Sequence, residues 1–346
     1  MTLDAFSLSL RSPLSTAAGD IDRRDGFVVR YDHRGVTGVG EATPLAGWTE
    51  PSEECERALD RALTAGAGDD HTAGMLALDG DETPAARHGF ASALLDADAR
   101  ADGLPLYRWF DDERRCESVP VNATVGDADA AATAEAASEA VADGFDCLKL
   151  KVGARPVEAD VERMRAVRAA VGDGPTLRLD ANGGWGRDAA RRAMDAMAEF
   201  DVAYVEQPLP AADLAGLADL RGGPVDVAVD ETLARAPMAD VLDASAADVV
   251  VLKPMVVGGP GNAYTLARRA RERGLDAVVT TTVDAVVART AAVHVAAALP
   301  DVAPCGLATA GLLGEDLGPD PAPVADGRIT VPQDPGIGID PAEVTP

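Results

Sequence analysis

The chain has 346 residues, enough for a barrel-sized domain with a smaller one beside it. Hydrophobic residues make up 47%, and no apolar run approaches the ~20 residues of a membrane span, which argues for a large soluble core and against a membrane partner. The 58 acidic residues against 31 basic ones give a net charge of −27, which repels nucleic acid and anionic lipid and excludes both as expected partners.

Such acidity suits concentrated salt, where the Debye length shrinks to ~3 Å at 1 M and self-repulsion is screened. A halophile-like cytoplasm is the expectation. Met1 to Leu10 carries neither a basic segment nor a long apolar one, so a secretory signal is not expected and a cytoplasmic location is. Cys55, Cys116, Cys147 and Cys305 show no C-x-x-C spacing, and none of the four histidines pairs at metal-ligand spacing. Neither a disulfide framework nor a zinc site is expected.

In chain order, residues 1–115 read as an α+β unit. Phe27 to Tyr31 and Val36 to Glu41 flank Asp32-His33-Arg34-Gly35, a hairpin with a polar turn. Leu14 to Arg24, rich in small and polar residues, reads as a loop between two strands. Helical spacing covers 51–66, with Pro51 and Ser52 at its start, and 84–101, with Gly103 and Pro105 just beyond.

From Val119 the pattern changes. Strands are expected at 119–124, 146–151, 176–180, 202–206, 226–230, 248–252, 276–281 and 302–305. Helices are expected at 128–143, 156–171, 188–199, 211–220, 235–244, 260–273 and 284–299. This alternation predicts a parallel sheet, and about eight repeats predict closure into a TIM-type barrel over 116–314. The tail, 315–346, is rich in Pro, Gly and Asp and reads mostly as loop that returns to the first unit.

The basic residues carry the first chemical signal. Only Lys149, Lys151 and Lys253 are lysine, and the other 28 are arginine. Arginine stays protonated and cannot serve as a proton-transfer base, whereas lysine is shifted readily by burial and neighbouring charge. All three lysines fall at the C-terminal ends of expected strands, the face where barrels keep their catalytic groups. Asp180, Glu206 and Asp230 end the third, fourth and fifth strands. Three acids converging on one mouth repel each other unless a hard dication such as Mg²⁺ binds them, with Mn²⁺ as a substitute. Arg178 and Asn182 beside Asp180, Glu231 beside Asp230, and Thr281 at the end of the seventh strand are further candidates for substrate binding or for support of the acids.

The ordered set Lys-x-Lys, Asp, Glu, Asp, Lys, with steps of 29, 26, 24 and 23 residues from Lys151 to Lys253, resembles the muconate-cycloisomerase-like branch of the enolase superfamily. That resemblance covers nearly the whole chain. It implies a modified (β/α)₇β TIM barrel with an N-terminal α+β capping domain. It further implies Mg²⁺ on Asp180, Glu206 and Asp230, with Lys151 as base on one substrate face and Lys253 on the other. Lys149 would add a second positive charge that lowers the basicity of Lys151 and helps to hold a small-molecule carboxylate substrate. The shared chemistry is proton abstraction α to a carboxylate through a stabilised enediolate. The loop from Leu14 to Arg24 would take the place of a specificity loop that closes over the mouth.

Within that branch, Gly40-Glu41-Ala42-Thr43-Pro44-Leu45-Ala46-Gly47-Trp48-Thr49 and Arg178-Leu179-Asp180-Ala181-Asn182-Gly183-Gly184-Trp185 resemble patterns of the o-succinylbenzoate synthase family, dehydratases of menaquinone biosynthesis. Dipeptide epimerases of the branch carry an Asp-x-Asp after the last strand, but Cys305 to Gly311 holds no acid. Mandelate-racemase-like members use a late histidine base, and His294 falls inside an expected helix. N-succinylamino acid racemases overlap with the synthases in pattern and remain open, as does a barrel that binds metal without turnover.

Overall fold

The computed structural model describes residues 1–16, 19–68 and 70–346. Strands β1 (Thr2–Thr16), β2 (Gly19–His33) and β3 (Val36–Ala42) form an antiparallel sheet in that order. The β2–β3 turn sets Arg34 at φ 53° and Gly35 at φ 79°, the paired left-handed geometry of a tight hairpin. Leu14 to Arg24 differs from the expected loop. After a register shift between Ser9 and Leu14 the ladder resumes, Leu14 pairing with Ile21 and Ser15 with Asp20, and satisfies backbone groups that a loop would leave to water. Ala17 and Ala18, at that tip, lie outside the described residues.

Helices α1 (Ser52–Ala65), α2 (His71–Leu76), α3 (Pro84–Ala101) and α4 (Leu106–Phe110) follow. α3 opens on a proline, whose missing N–H costs nothing in a first turn, and packs on β3. A Cβ on Gly40 would lie 2.0 Å from the Gly89 carbonyl oxygen, so glycine is what lets strand and helix approach this closely.

The barrel begins at β4 (Ser118–Pro120) and β5 (Ala123–Val125). The expected 119–124 strand is split because the chain changes partner. Pro120 pairs antiparallel with Arg328, and Ala123 pairs parallel with Leu148. Then come α5 (Ala130–Ala142), β6 (Cys147–Lys151), α6 (Val157–Val171), β7 (Thr176–Asp180), α7 (Arg187–Met197) and β8 (Val202–Glu206). They are followed by α8 (Leu214–Leu220), β9 (Asp226–Val229), α9 (Met238–Asp243), β10 (Val249–Leu252), α10 (Pro260–Glu272), β11 (Asp276–Val279) and α11 (Val286–Ala298). α8 starts later than expected because Asp213 accepts from the Gly216 N–H and caps it there. α9 starts after Pro237, and residues 231–234 form a 3-10 turn instead.

β5 to β11 form a seven-stranded parallel sheet in chain order. It closes through two single bridges, Val121 to Cys305 and Thr280 to Gly306. The expected strand at 302–305 is reduced to these bridges, because Pro304 offers no N–H to a ladder. Leu148, Leu150, Leu177, Leu179, Val205 and Val227 are fully buried in the barrel core. α11 is buried on every side. Val286, Val287 and Ala291 pack with Phe6, Leu8, Val28, Val39, Leu313 and Ile337, so the last barrel helix is enclosed by the N-terminal sheet and the tail.

The tail carries β12 (Val324–Ala325) and β13 (Arg328–Thr330), and β13 pairs with β4. Beyond it, the Ile337 N–H donates to Asp96 at 2.7 Å and Arg30 donates to the Val344 carbonyl at 2.6 Å. Among the described residues no helix is long and apolar enough to cross a membrane.

Candidate active site

β6 reads Cys-Leu-Lys-Leu-Lys, and its alternation sends the leucines into the helix layer and both lysines to the barrel interior. Parallel register brings the next strand ends level: Lys151 lies opposite Asp180, and Asp180 opposite Glu206. Asp230 follows the end of β9, and Lys253 follows the end of β10. The mouth therefore gathers the three acids and three lysines that the sequence spreads over about a hundred residues.

Each acid is paired with a lysine. The Lys149 ammonium lies 3.0 Å from Glu206 Oε1 and 3.1 Å from Asp180 Oδ2. Lys151 donates to Asp180 Oδ2 and to Asn182 Oδ1, both at 2.8 Å. Lys253 forms a short ion pair with Asp230. Asn182 in turn donates to Glu231 Oε1 at 2.8 Å, which draws both of those candidates into the same layer. Gln207 anchors the far side: its Oε1 accepts from the backbone N–H groups of Asp230 and Thr232, both at 3.1 Å.

Arg178 and Thr281 stand apart from this layer. Arg178 sits two residues below Asp180, where its guanidinium stacks 4.8 Å from the Tyr204 ring centre and donates to the Pro304 carbonyl. Thr281 shares a 3.1 Å hydrogen bond with Thr309 on the closing side of the barrel. His294 is fully buried, and burial pushes its imidazole down to about 4. Its Nδ1 accepts from the Tyr107 N–H, so it faces the helix packing and not the mouth.

Electrostatics follow from burial. Glu206 is pushed up to about 7 by burial and by the charges of Asp180 and Asp230, against the pull of Lys149. Asp230 is raised by burial despite Lys253. For Asp180 burial also pushes upward, but Lys149 and Lys151 outweigh it and hold the carboxyl below its ordinary range. Burial opposes the charge on Lys149, yet Glu206 and Asp180 raise it well above an ordinary lysine. The Lys149 charge is thus engaged with carboxylates as well as standing near Lys151.

One residue here carries no functional mark in the sequence beyond its place in the Gly40–Thr49 motif. Trp48, in the turn after β3, lies with its ring centre 3.8 Å from the Lys253 ammonium. The Gly40–Thr49 motif was the available signal. Nothing local in it points to a lysine 205 positions away.

The donor set fits a hard divalent cation. Asp180, Glu206 and Asp230 are almost wholly buried carboxylates, and Glu231 Oε2 beside them is buried with no hydrogen-bond partner. Among the described residues no three such groups lie within a single ion's reach, and each of the three acids is ion-paired with a lysine.

The enolase C-terminal domain-like family model matches residues 132–344, the greater part of the barrel and the tail. The chain belongs to this family. Enolase-superfamily members are enzymes, and those similar to this chain differ in activity. It is 42% identical over 221 residues to an o-succinylbenzoate synthase of Thermobifida fusca (strain YX), a match that covers 62% of this chain and 67% of that protein. It is 28% identical over 358 residues to a chloromuconate cycloisomerase of Pseudomonas sp. (strain P51), covering 98% and 96%. Among solved structures, the substrate-liganded L-Ala-D/L-Glu epimerase of Bacillus subtilis superposes with a TM-score of 0.86 at 27% identity, covering 98% of this chain and 97% of that one. A dipeptide epimerase of Enterococcus faecalis V583, complexed with Mg and the dipeptide L-Leu-L-Tyr, gives 0.85 at 25% identity, covering 98% of both chains. The modified-barrel expectation therefore holds across nearly the whole enolase-superfamily chain.

Proposed function

We propose that this enolase-superfamily protein dehydrates 2-succinyl-6-hydroxy-2,4-cyclohexadiene-1-carboxylate to 2-succinylbenzoate in menaquinone biosynthesis, as an o-succinylbenzoate synthase and hence a carbon–oxygen lyase. Asp180, Glu206 and Asp230 are the residues that would hold Mg²⁺. A bound dication supplies positive charge against the substrate carboxylate while the α-proton leaves.

The observation that carries the reading is the unequal setting of the two flanking lysines. The Lys151 side chain is 36% exposed at the mouth. That of Lys253 is 10% exposed and sits between Asp230 and the Trp48 ring. Dehydration with both departing groups on one face needs a single proton shuttle. Lys151 takes the proton α to the carboxylate, which leaves its electron pair in an enediolate, and that pair then forms the new ring double bond as the neighbouring C–O bond breaks. Lys151 then returns a proton to the departing hydroxyl, which leaves as water. Lys253 acts as a fixed cation on the other face. Lys149 and Asn182 orient the acids and Lys151.

The 42% identity to a synthase over 221 residues supports the same reading. N-succinylamino acid racemase or dipeptide epimerase activity is the second reading, favoured by an epimerase structure that superposes over 98% of the chain. It requires Lys253 as well as Lys151 to exchange protons.

The test is an assay of the purified protein with Mg²⁺ on the cyclohexadiene, beside a panel of N-acylamino acids in deuterated water. Dehydration is the expected result. Exchange from both enantiomers of an N-succinylamino acid, with no dehydration, would reject the synthase in favour of the racemase. Mg²⁺ binding without any turnover would leave only a metal-binding barrel.

A further inference from the structure

Outside the lysine–carboxylate layer, a fully buried polar cluster joins the end of β3 to the start of α11. Glu41 is 0% exposed. Its Oε1 accepts from the Ala285 N–H at 2.9 Å, its Oε2 from the Ala288 N–H at 2.8 Å, and the Thr43 hydroxyl also donates to it. Arg24, 2% exposed, donates to the carbonyls of Thr43 at 2.8 Å and of Pro44 and Val283 at 3.3 Å. The cluster thus fastens the chain just before Trp48 to the barrel helix α11.

From that anchor, residues 45–49 form a closed turn. The N–H groups of Trp48 and Thr49 both donate to the Leu45 carbonyl at 3.0 Å, and the Leu45 N–H donates to the Thr49 hydroxyl at 2.9 Å. With little internal freedom, the turn carries Trp48 wherever its two ends, Thr43–Pro44 and Glu50, are held. Beyond the turn, buried Glu50 accepts from the Ala85 and Ala86 N–H groups of α3 at 3.0 and 2.7 Å, the Thr43 N–H donates to the Met255 sulfur at 3.5 Å, and Arg235 adds a solvent-exposed 3.2 Å bond to the Gly47 carbonyl. Exposed bonds of this kind contribute little, whereas buried groups left unpaired carry their full desolvation cost.

We propose that Glu41 is a positioning residue. Its carboxylate, bonded to the first turn of α11, fixes the 43–49 turn and so holds Trp48 on Lys253. The carboxylate, the form present above about pH 7, can take all three converging donors on its two oxygens. A glutamine has one acceptor oxygen, so either orientation of its amide turns an NH₂ toward a donor. Only the activity arm of the test rests on the synthase reading.

Trp48 emission is isolated by subtracting the spectrum of Trp48→Phe from that of wild type, and that of the double variant from Glu41→Gln. Glu41→Gln is expected to red-shift the Trp48 component well below the melting transition. It is also expected to lower kcat of the Mg²⁺-loaded protein about tenfold with KM changed far less, since displacements of ~1 Å in a site can cost ~100-fold. Thr43→Val, which removes one donor and keeps the volume, shifts emission in the same direction by less, and serves if Glu41→Gln does not fold. Arg235→Ala leaves both readouts at wild-type values. Unchanged Trp48 emission in a folded Glu41→Gln or Thr43→Val protein overturns the proposal, as does an equal shift in Arg235→Ala. If wild type does not turn over the cyclohexadiene, the synthase reading fails alone, and the emission arm still supports or overturns the positioning role.

Discussion

The Lys253 ammonium lies 3.8 Å from the centre of the Trp48 ring while it is ion-paired with Asp230. Lys151, paired with Asp180, has no ring above it among the described residues and is 36% exposed at the mouth. This inequality separates two kinds of lysine chemistry. Lys253→Arg keeps the charge but removes any accessible neutral form. It is expected to retain measurable dehydration, whereas Lys151→Arg is expected to lose ~10³-fold or more, the scale of general-base catalysis. Equal losses in both variants, measured on the cyclohexadiene, would contradict the fixed-cation role.

Trp48→Leu removes the ring and keeps an apolar side chain. A cation–π contact of this partly buried kind contributes ~0.5–2 kcal/mol. Dehydration is therefore expected to fall a few-fold to about thirtyfold, with the melting temperature nearly unchanged. A rate identical to wild type would show that the ring does not set the Lys253 position.

Asp180→Ala, Glu206→Ala and Asp230→Ala are each expected to abolish Mg²⁺-dependent activity while circular dichroism stays close to wild type. The motive is three buried acids converging on one mouth. Calorimetric titration with Mg²⁺ is expected to lose its binding heat in each variant. Full activity in chelator-treated wild-type protein would sink the metal assignment.

Glu41 gives a pH signature of its own. Burial and then Asp284 push its carboxyl up to about 7, from an ordinary value of 4.5. Between those two values the folded chain binds the proton and the unfolded chain does not, so this group's contribution to stability falls as pH rises through the window. Above about 7 both states are ionised and the effect is constant. Denaturant titrations at pH 4.5, 6 and 7.5 are expected to show a smaller loss of stability with rising pH in Glu41→Gln than in wild type. Parallel profiles would place the titration elsewhere.

The charge of −27 predicts a salt response. Screening weakens repulsion among the acids, with the Debye length falling from about 10 Å at 0.1 M to about 3 Å at 1 M. The melting temperature is expected to rise by several degrees between 0.1 M and 2 M KCl. A flat or falling curve would mean that the acidity is incidental.

Much of the fold was legible because barrel strands and helices are coded locally. β6 alternates lysine with leucine, β7 ends Arg-Leu-Asp, and α3 spans the residues its spacing indicates, because burial on one face leaves a periodic trace in the chain. The chemical layer was legible for the same reason: a polar residue closing an apolar strand stands out. What misled was pairing. Leu14–Thr16 and Gly19–Ile21 lack an apolar pattern, yet they are strand because each satisfies the backbone of the other. Val302 to Cys305 looks like a strand, yet Pro304 denies it a ladder.

The sequence by itself determined the strand ends that carry Lys149, Lys151, Asp180, Glu206, Asp230 and Lys253, because strand period and parallel order suffice to send them to one mouth. Only the tertiary structure decided which carboxylate each lysine meets, that Trp48 covers Lys253, and that Glu41 caps a helix 244 residues further along. These contacts depend on how the N-terminal sheet and the barrel are packed together. Packing is set by the shape and burial of whole surfaces, which no local period records.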